Sequence, residues 1–271
     1  MRSETMPLRI AFIGFGEVGQ LFCEQLSQRP DVAVAAYDTL FDDAARGPAL
    51  RDRAGAFAAA SVAEACRGAR LVISAVTADQ AVAAARAAAP ALTANQTYID
   101  LNSVSPATKA EVAAAIAGSD AGFIEFAVMA PVAGPGLAVP ILAGGEDAET
   151  VADFLRPLGM DVTPVSVQIG VASATKLCRS IVIKGMEALM VDLSLVTAAN
   201  GVLPAVLASL QASYPGMDWE ALVATMPGRV RRHGVRRAAE MREVGRMLEE
   251  AGLSGDLAEA IARRHERFAG S

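Results

Sequence analysis

The sequence predicts an α/β fold: a doubly wound parallel sheet, followed by one long interdomain helix and an all-α C-terminal domain. Short apolar runs alternate with helical stretches through residues 1–168, which is typical of a parallel sheet buried on both faces. A proline-free segment of about thirty residues lies between Gly170 and Gly201 and would form a rod of roughly 45 Å. The rest of 169–271 has the pattern of charged helices, so we place the domain boundary at residue 168.

Composition restricts the class of protein. The chain has 271 residues, of which 53% are hydrophobic, so it can build one large or two modest cores. Its net charge of -6 argues against a nucleic-acid partner. It lacks a long uncharged apolar run and a signal-like start, so we expect a cytoplasmic protein without a membrane contact. Three cysteines without metal-like spacing and two histidines predict reduced thiols and no metal site.

The first element is a buried strand over 8–13, followed by glycines in the spacing G-x-G-x-x-G. In such a turn Gly14 permits the tight bend, Gly16 lets the backbone approach a pyrophosphate, and Gly19 lets helix and strand pack closely. The next apolar run ends at Asp38, where a carboxylate can bind ribose hydroxyls and repel a 2′-phosphate. We therefore predict a Rossmann-type domain that prefers NAD over NADP. The predicted cofactor contacts in this part are Gly14, Phe15, Gly16, Glu17, Val18, Gly19 and Asp38.

Further strands predict where ligands bind. Ser61 and Glu64 form a capping box at the start of a short helix. An apolar run over 71–76 then predicts a buried strand. We add Val76, at its end, and Thr77, which follows it, to the predicted cofactor contacts. A strand ending at Asp100 leads into a loop, and Ser105 and Pro106 then begin a helix. The loop offers two short hydrogen-bonding side chains at the carboxyl end of a parallel strand, although such residues are also common in ordinary turns. These two residues are Asn102 and Ser103.

A strand over 123–128 precedes a loop of small residues, 131–136, that leaves room for a ligand. The long helix then carries a polar stripe on one face. It consists of Ser173, Lys176, Ser180, Lys184 and Glu187. Two interpretations are open: a solvated face in which Lys184 and Glu187 pair, or a lysine with a chemical task, since an unpaired buried ammonium is costly. The other faces are apolar, which predicts a buried helix and a homodimer.

Beyond the long helix, Pro204 is expected to open another helix, and the segment 226–228 (MPG) to form a turn. A basic cluster follows over 229–237. His233, Arg236 and Arg237 could reach a substrate from this domain or from a partner chain, and a solvated basic face is the alternative.

Four motifs in order resemble the β-hydroxyacid dehydrogenases, the group of 3-hydroxyisobutyrate, tartronate semialdehyde and 6-phosphogluconate dehydrogenases. They are GFGEVG (14–19), DLNSVSP (100–106), APVAGPG (130–136) and GVASATK (170–176). The resemblance implies that Lys176 is the catalytic acid/base. It also implies that Asn102 and Ser103 bind the substrate, with Asn102 near the cofactor as well, in a pocket between two domains.

The sequence departs from the family at three places. Ala133 replaces a serine that often touches substrate, beside Gly134, and Arg179 and Ser180 follow the lysine where the family has asparagine or histidine. The pattern is similar to a branch with a shortened helical domain. Arg179 is a bidentate donor, so we expect a small acidic hydroxy or oxo substrate, with Ala133, Gly134, Arg179, Ser180 and His233 as further candidate contacts.

The predicted reaction is hydride transfer between NAD and a β-hydroxy acid or its aldehyde or ketone, with Lys176 as proton donor and acceptor. Two other classes stay open. Imine reductases share the architecture and use NADPH, but they commonly carry aspartate or tyrosine in place of Lys176. A non-catalytic nucleotide-binding module could dispense with the lysine altogether.

Overall fold

The computed structural model describes residues 7–270 and divides into two units, one up to Lys176 and one from Leu177 onward. The N-terminal unit contains a seven-stranded sheet in the order β2-β1-β3-β4-β5-β6-β7. All neighbouring strands are parallel except β5 and β6, so the carboxyl ends of β1 to β5 share one edge. The strands are β1 (Leu8–Ile13), β2 (Val32–Tyr37), β3 (Leu71–Ser74), β4 (Thr97–Asp100), β5 (Gly122–Val128), β6 (Pro140–Gly144) and β7 (Asp161–Ser166).

An apolar core covers each face of this sheet, as the continuous apolar strands predict. Alternate residues of β1 belong to different cores: Ile10 and Phe12 to one, Ala11 and Ile13 to the other. The doubly wound α/β fold is therefore confirmed. The helices of this unit are α1 (Glu17–Ser27), α2 (Gly47–Ala54), α3 (Val62–Cys66), α4 (Ala81–Ala88), α5 (Pro106–Ala117) and α6 (Ala148–Leu155).

Two helix starts in this unit follow the predicted capping chemistry. Ser61 Oγ accepts the N–H of Glu64 at 3.2 Å, as in a capping box, whereas the Glu64 carboxylate accepts the N–H of Ala60, one residue before the N-cap, at 2.5 Å. Ser105 caps α5 by accepting the N–H of Thr108 at 3.2 Å. Because Pro106 follows it at the first helical position, α5 begins immediately after the loop that follows β4.

The C-terminal unit consists of helices. The long helix α7 (Val171–Asn200) begins in the N-terminal unit, and the division between units falls within it. It ends at Gly201, whose φ of 68° suits a residue without a side chain. The helices α8 (Leu203–Ser213), α9 (Trp219–Glu250) and α10 (Asp256–Ala269) follow. A core on α7, α9 and α10 includes Leu177, Ala188, Met241, Val244 and Ile261.

The predicted turn at 226–228 is wrong, because α9 runs through Pro227. A proline inside a helix removes one backbone hydrogen bond and strains the preceding turn. Met226 and Val230 are both buried, and a spacing of four residues places them on one face of the helix. Burial of that face maintains the helix across the proline. Among the residues described, no helix is long and apolar enough to cross a membrane.

The polar stripe of α7 is not a solvated face. Ser173, Ser180, Lys184 and Glu187 are all buried, so that interpretation is wrong. In the single chain, other positions on the same helix carry large apolar side chains that are more than half exposed. They are Val182, Leu189, Leu195 and Val196.

Candidate functional site

The glycine turn after β1 has the geometry that a dinucleotide requires. Gly14 has a φ of 101°, and a Cβ on it would lie 2.4 Å from the carbonyl oxygen of Ala75. A Cβ on Gly19 would lie 2.2 Å from the carbonyl oxygen of Gly14. Gly16, by contrast, is exposed, and a Cβ added there would have no atom within 4 Å. Two glycines thus allow close packing, and the third leaves the backbone open to a ligand.

Helix α1 begins directly after this turn, and its N-terminus has no side-chain cap. Its first residues, Glu17 and Val18, therefore present backbone N–H groups at the positive end of the helix dipole. A pyrophosphate is the natural partner for such a helix start after a glycine turn. Phe15 is buried against Phe41, with ring centroids 5.7 Å apart, and this contact supports the turn from beneath. These residues fit a dinucleotide cofactor.

Asp38 follows β2 at the same edge of the sheet. Its Oδ2 accepts the N–H of Phe15 at 2.7 Å, and its Oδ1 accepts the N–H of Leu40 at 2.8 Å. The carboxylate therefore connects the end of β2 to the glycine turn. A carboxylate can accept about four hydrogen bonds, so each oxygen retains capacity for a ribose hydroxyl.

The loop after β4 is held by the side chain of Asn102. Its amide nitrogen donates to Asp100 and, at 3.0 Å, to Ser74 Oγ, while its Oδ1 accepts the N–H of Val76 at 2.7 Å. Asn102 thereby joins the loops that follow β3 and β4. Because both amide hydrogens are donated inside the protein, a substrate contact through them would require one of these bonds to be exchanged. Thr77, the next predicted cofactor contact, is exposed.

A buried ion pair lies beneath this loop. Lys109 on α5 and Asp100 at the end of β4 are both fully buried, and their charged atoms are 2.6 Å apart. The Lys109 ammonium also donates to the carbonyl oxygens of Asp100 at 2.8 Å and Phe126 at 3.4 Å. All three ammonium hydrogens therefore have acceptors, which is what makes burial of this charge tolerable.

Lys176 lies in the second turn of α7, and its Nζ donates a hydrogen bond to Ser103 Oγ. Ser103 belongs to the loop after β4, so the structure brings together the predicted acid/base and one predicted substrate residue. The chain contains three lysines. Lys109 and Lys184 form ion pairs with Asp100 and Glu240, and Lys176 donates to a hydroxyl at the edge of the sheet where the parallel strands end.

The start of α7 is held by a residue that sequence reasoning missed. Glu125, in β5, is fully buried, and its carboxylate accepts backbone N–H groups of Gly170, Ala172 and Ser173. A single acid within the apolar run of 123–128 was the available signal. For Lys109, the sequence signal was a lysine in the helix that follows the loop after β4.

Ala133 and Gly134 are exposed in the loop that follows β5. That loop is tied to α1, because Gln25 Oε1 accepts the N–H of Leu137 at 2.8 Å. Gly136 has a φ of 59°, which favours glycine, and a Cβ there would displace the Gln25 amide from its bond to Leu137. The loop thus has a fixed anchor and a tip of small residues.

Three predicted substrate contacts belong to the C-terminal unit. Arg179 and His233 are exposed, and Ser180 is buried, where its Oγ accepts from Lys184 at 3.0 Å. The predicted pairing of Lys184 with Glu187 is wrong. The pairs formed are Lys184 with Glu240 at 2.7 Å and Arg237 with Glu187 at 2.5 Å.

The C-terminal unit has a larger and a smaller cleft away from Lys176. One of about 730 Å³ lies beside α8 and includes Leu207 and Trp219, and one of about 390 Å³ lies beside Phe268. Neither is lined by a predicted site residue, so neither bears on the chemistry at Lys176.

Two family models match the chain. The NAD binding domain of 6-phosphogluconate dehydrogenase matches residues 9–170, and a domain of unknown function (DUF1932) matches residues 198–268. The first match covers more than half of the chain and includes the glycine turn, Asp38 and the loop after β4. No curated protein sequence matches the chain.

Solved structures similar to the chain span nearly its whole length. A conserved hypothetical protein from Sinorhizobium meliloti 1021 is 39% identical, with a TM-score of 0.79 over 97% of this chain and 89% of that one. The conserved protein MTH1747, reported as structurally similar to 3-hydroxyacid dehydrogenases, is 31% identical, with a TM-score of 0.74 over 96% of each chain. A 3-hydroxyisobutyrate dehydrogenase from Mycobacterium tuberculosis, solved with L-serine, shares the fold at 19% identity and a TM-score of 0.74, over 98% and 95% of the two chains.

Proposed function

Because the chain belongs to the β-hydroxyacid dehydrogenase family of NAD(P)-dependent oxidoreductases, we propose that it interconverts a small β-hydroxy acid and its aldehyde or ketone, with NAD as cofactor. The observation that carries the proposal is the hydrogen bond from Lys176 Nζ to Ser103 Oγ. It places an amine at the edge of the sheet where ligands of open α/β folds bind, beside a hydroxyl on the loop after β4.

The chemistry requires a hydride acceptor against the carbinol carbon and a group that takes the hydroxyl proton. NAD supplies the hydride acceptor when it is bound. Lys176 takes the proton in the oxidation and returns it to the carbonyl oxygen in the reduction. Ser103 holds the amine and offers a hydrogen bond to the substrate oxygen. Arg179, three residues after Lys176, is the proposed partner of the substrate carboxylate, as a bidentate donor.

Turnover of a substrate panel tests the role of Lys176. Lys176→Met keeps most of the volume and removes the ammonium, so turnover is expected to fall by about 10² to 10⁴-fold while NAD affinity changes little. The panel contains small hydroxy acids, including 3-hydroxyisobutyrate and L-serine, and the corresponding aldehyde acids, followed by nicotinamide absorbance. Lys184→Met is the matched control, since it removes a lysine of the same helix that pairs with Glu240. It should lower stability without the loss of turnover.

A destabilised but fully active Lys176→Met enzyme would refute the catalytic assignment. The same panel, extended by a cyclic imine with NADPH, separates the two alternative classes. Turnover of the imine alone would support an imine reductase. Cofactor binding without turnover of any substrate would support a nucleotide-binding module.

Asp38 and its neighbours favour NAD over NADP. An acid that follows the second strand of a dinucleotide-binding fold repels a 2′-phosphate, and the first two arginines after Asp38 in the sequence are already paired with acids. Arg46 lies 3.9 Å from Asp43, and Arg51 lies 2.8 Å from Asp42. Asp38→Ser should lower the ratio of the NADP dissociation constant to the NAD dissociation constant by about tenfold or more, which is the effect of one hydrogen bond to a charged group. A wild-type enzyme that binds NADP more tightly in titration would contradict this interpretation.

We also propose that the chain functions as a homodimer. Val182, Leu189 and Val196 recur every seven residues along α7 and are each more than half exposed. Seven residues are nearly two helical turns, so these side chains form a continuous apolar stripe that a second copy of the helix could cover. Sedimentation should detect a stable dimer at low micromolar concentration, and Leu189→Glu should dissociate it.

A further inference from the structure

Glu125 is a buried carboxylate whose partners in the structure are backbone N–H groups. It occupies the middle of β5 and is fully buried. Its Oε1 accepts from Gly170 at 2.7 Å and Ala172 at 3.0 Å, and its Oε2 accepts from Ser173 at 3.4 Å. The donors are Gly170, just before α7, and two residues of its first turn, where unsatisfied N–H groups and the positive end of the helix dipole favour an anion. Glu125 therefore fixes the start of α7 to the central sheet.

Two glycines make this contact possible. A Cβ on Gly144, which pairs with Glu125 across β5 and β6, would lie 2.6 Å from the Glu125 Oε1. Gly170 has a φ of 101°, a conformation that side-chain-bearing residues rarely adopt, and it turns its N–H toward the carboxylate. Gly144 thus leaves space for the carboxylate on the side of β6, and the backbone conformation of Gly170 directs an N–H group to it on the side of α7.

The next turn of the helix carries Lys176. In an α-helix each N–H bonds to the carbonyl four residues earlier, so Lys176 stacks directly on Ala172, which Glu125 holds. Its partner Ser103 stands on the loop that Asn102, Asp100 and Lys109 fix to the sheet. Lys176 and Ser103 are therefore both fixed to the same sheet, Lys176 through Glu125 and Ser103 through Asn102.

We propose that Glu125 is a positioning residue for Lys176: it sets where the helix start places the amine relative to Ser103. This inference rests on the proposed function, since it assigns Glu125 a role through the catalytic lysine. A displacement of about 1 Å in a reacting group can lower a rate by about 10²-fold, so loss of the anchor should be visible in turnover.

A double-mutant cycle on turnover is the test. Glu125→Gln removes the charge and one of the two accepting oxygens at nearly constant volume. We expect kcat to fall by about 10 to 10²-fold in the wild-type background, with a smaller change in KM. In the Lys176→Met background the same change should lower kcat by less than about threefold, because the group that Glu125 positions is gone. Equal falls in the two backgrounds would overturn the positioning role and leave the proposed function standing. A Lys176→Met enzyme with normal turnover would instead overturn the proposed function, and this role with it.

Amide hydrogen exchange supplies a readout without cofactor or substrate. The amides of Gly170, Ala172 and Ser173 should exchange faster in Glu125→Gln, and unchanged exchange would contradict the anchoring. Glu64→Gln is the matched control, because Glu64 also accepts a backbone N–H at a helix start, that of Ala60. It should change exchange near α3 and leave kcat within about twofold of wild type.

A second variant protects the test if Glu125→Gln does not fold. Gly144→Ala keeps the charge and crowds the Glu125 carboxylate away from the helix start, since the added Cβ would lie 2.6 Å from Oε1. It should reproduce the loss of kcat in the wild-type background and have little effect in the Lys176→Met background. Normal turnover in a folded Gly144→Ala enzyme with faster exchange at Gly170 would count against the positioning role.

Discussion

The two units of the chain both bury charged side chains, and they satisfy those charges with different kinds of partner. In the N-terminal unit the Lys109 ammonium meets three oxygens, and the Glu125 carboxylate meets three N–H groups. Asn102 likewise uses both amide hydrogens and its carbonyl oxygen. Most of these partners are backbone groups or side chains fixed at strand ends.

In the C-terminal unit several buried polar atoms have no hydrogen-bond partner among residues 7–270. They are Oε1 of Glu187, Nε of Arg237 and Nδ1 of His265. The N-terminal unit also has such atoms, Nε of Arg9 and of Arg29 and the hydroxyl of Tyr98, but they belong neither to the Lys109–Asp100 pair nor to Glu125. Burial raises the pKa of Glu187 above its ordinary value, against the opposing effect of Arg237. Burial also lowers the pKa of His265 to about 4. The charges here are paired side chain to side chain, between helices.

The difference has a geometric cause. Strand ends and helix starts present fixed rows of N–H and C=O groups, so a charge placed there can be fully solvated by the backbone. The middle of a helix has no free N–H group, and each of its carbonyls, already bonded within the helix, offers only one further lone pair. We therefore expect the N-terminal network to be the more costly to break, and the C-terminal one to respond more to pH.

The largest expected effect is that of Lys109→Met. It leaves the fully buried Asp100 carboxylate without its cation, and breaking a buried pair in this way costs about 3 to 5 kcal/mol. The free energy of unfolding in urea measures it. Arg156→Met is the matched control: it removes an ion pair with Asp153 in which both side chains are 67% exposed, and it should cost less than about 1 kcal/mol. Similar losses in the two variants would show that burial does not distinguish the pairs.

The same contrast explains how much could be read from the sequence. The strands, the glycine turn and the long helix were predictable, because apolar runs and a positive φ at Gly14 leave direct traces in residue type. The Lys176–Ser103 contact could be predicted because both residues lie in recognisable motifs. Glu125 and Lys109 were not predicted, because most of their partners are backbone groups, which look alike in every sequence. The turn expected near Pro227 failed because burial of Met226 and Val230 is a property of the packed unit.

The next largest effect is an acid sensitivity centred on His265. Its Nε2 donates to the carbonyl oxygen of Lys184 at 3.1 Å, so protonation would place a charge on the buried Nδ1. Lys184 and Arg237 oppose that charge and Glu240 favours it. The folded pKa of about 4 lies below the ordinary value of 6.5, so stability is complete above pH 6.5 and decreases as the pH falls toward 4. At pH 5.5 the loss should be on the order of 1 kcal/mol.

Unfolding free energies measured between pH 7.5 and pH 5.5 test this prediction. His265→Gln should flatten the pH dependence over that interval. The chain has only one other histidine, the exposed His233, so His233→Gln provides the control and should retain the wild-type slope. An unchanged slope in His265→Gln would assign the acid sensitivity to other groups.

The smallest expected effect is that of removing the Glu187–Arg237 pair as a whole. Replacing a buried ion pair by apolar side chains is often neutral or stabilising, because neither charge then has to be desolvated. Glu187 already lacks a partner for Oε1, and Arg237 for Nε, so Glu187→Met combined with Arg237→Met removes two unsatisfied atoms together with the pair. The stability should change by less than about 1 kcal/mol.

The corresponding double change in the N-terminal unit completes the comparison. Asp100→Leu combined with Lys109→Met also removes both charges, but it takes away an acceptor of Asn102 and the donor to the carbonyls of Asp100 and Phe126. Each buried group left unsatisfied costs about 1 to 3 kcal/mol, so this double variant should be the less stable of the two. The difference between the two double variants in the free energy of unfolding in urea tests whether backbone groups make the N-terminal network costly to remove. If both double variants are equally stable, backbone participation is not what makes the N-terminal network costly to break.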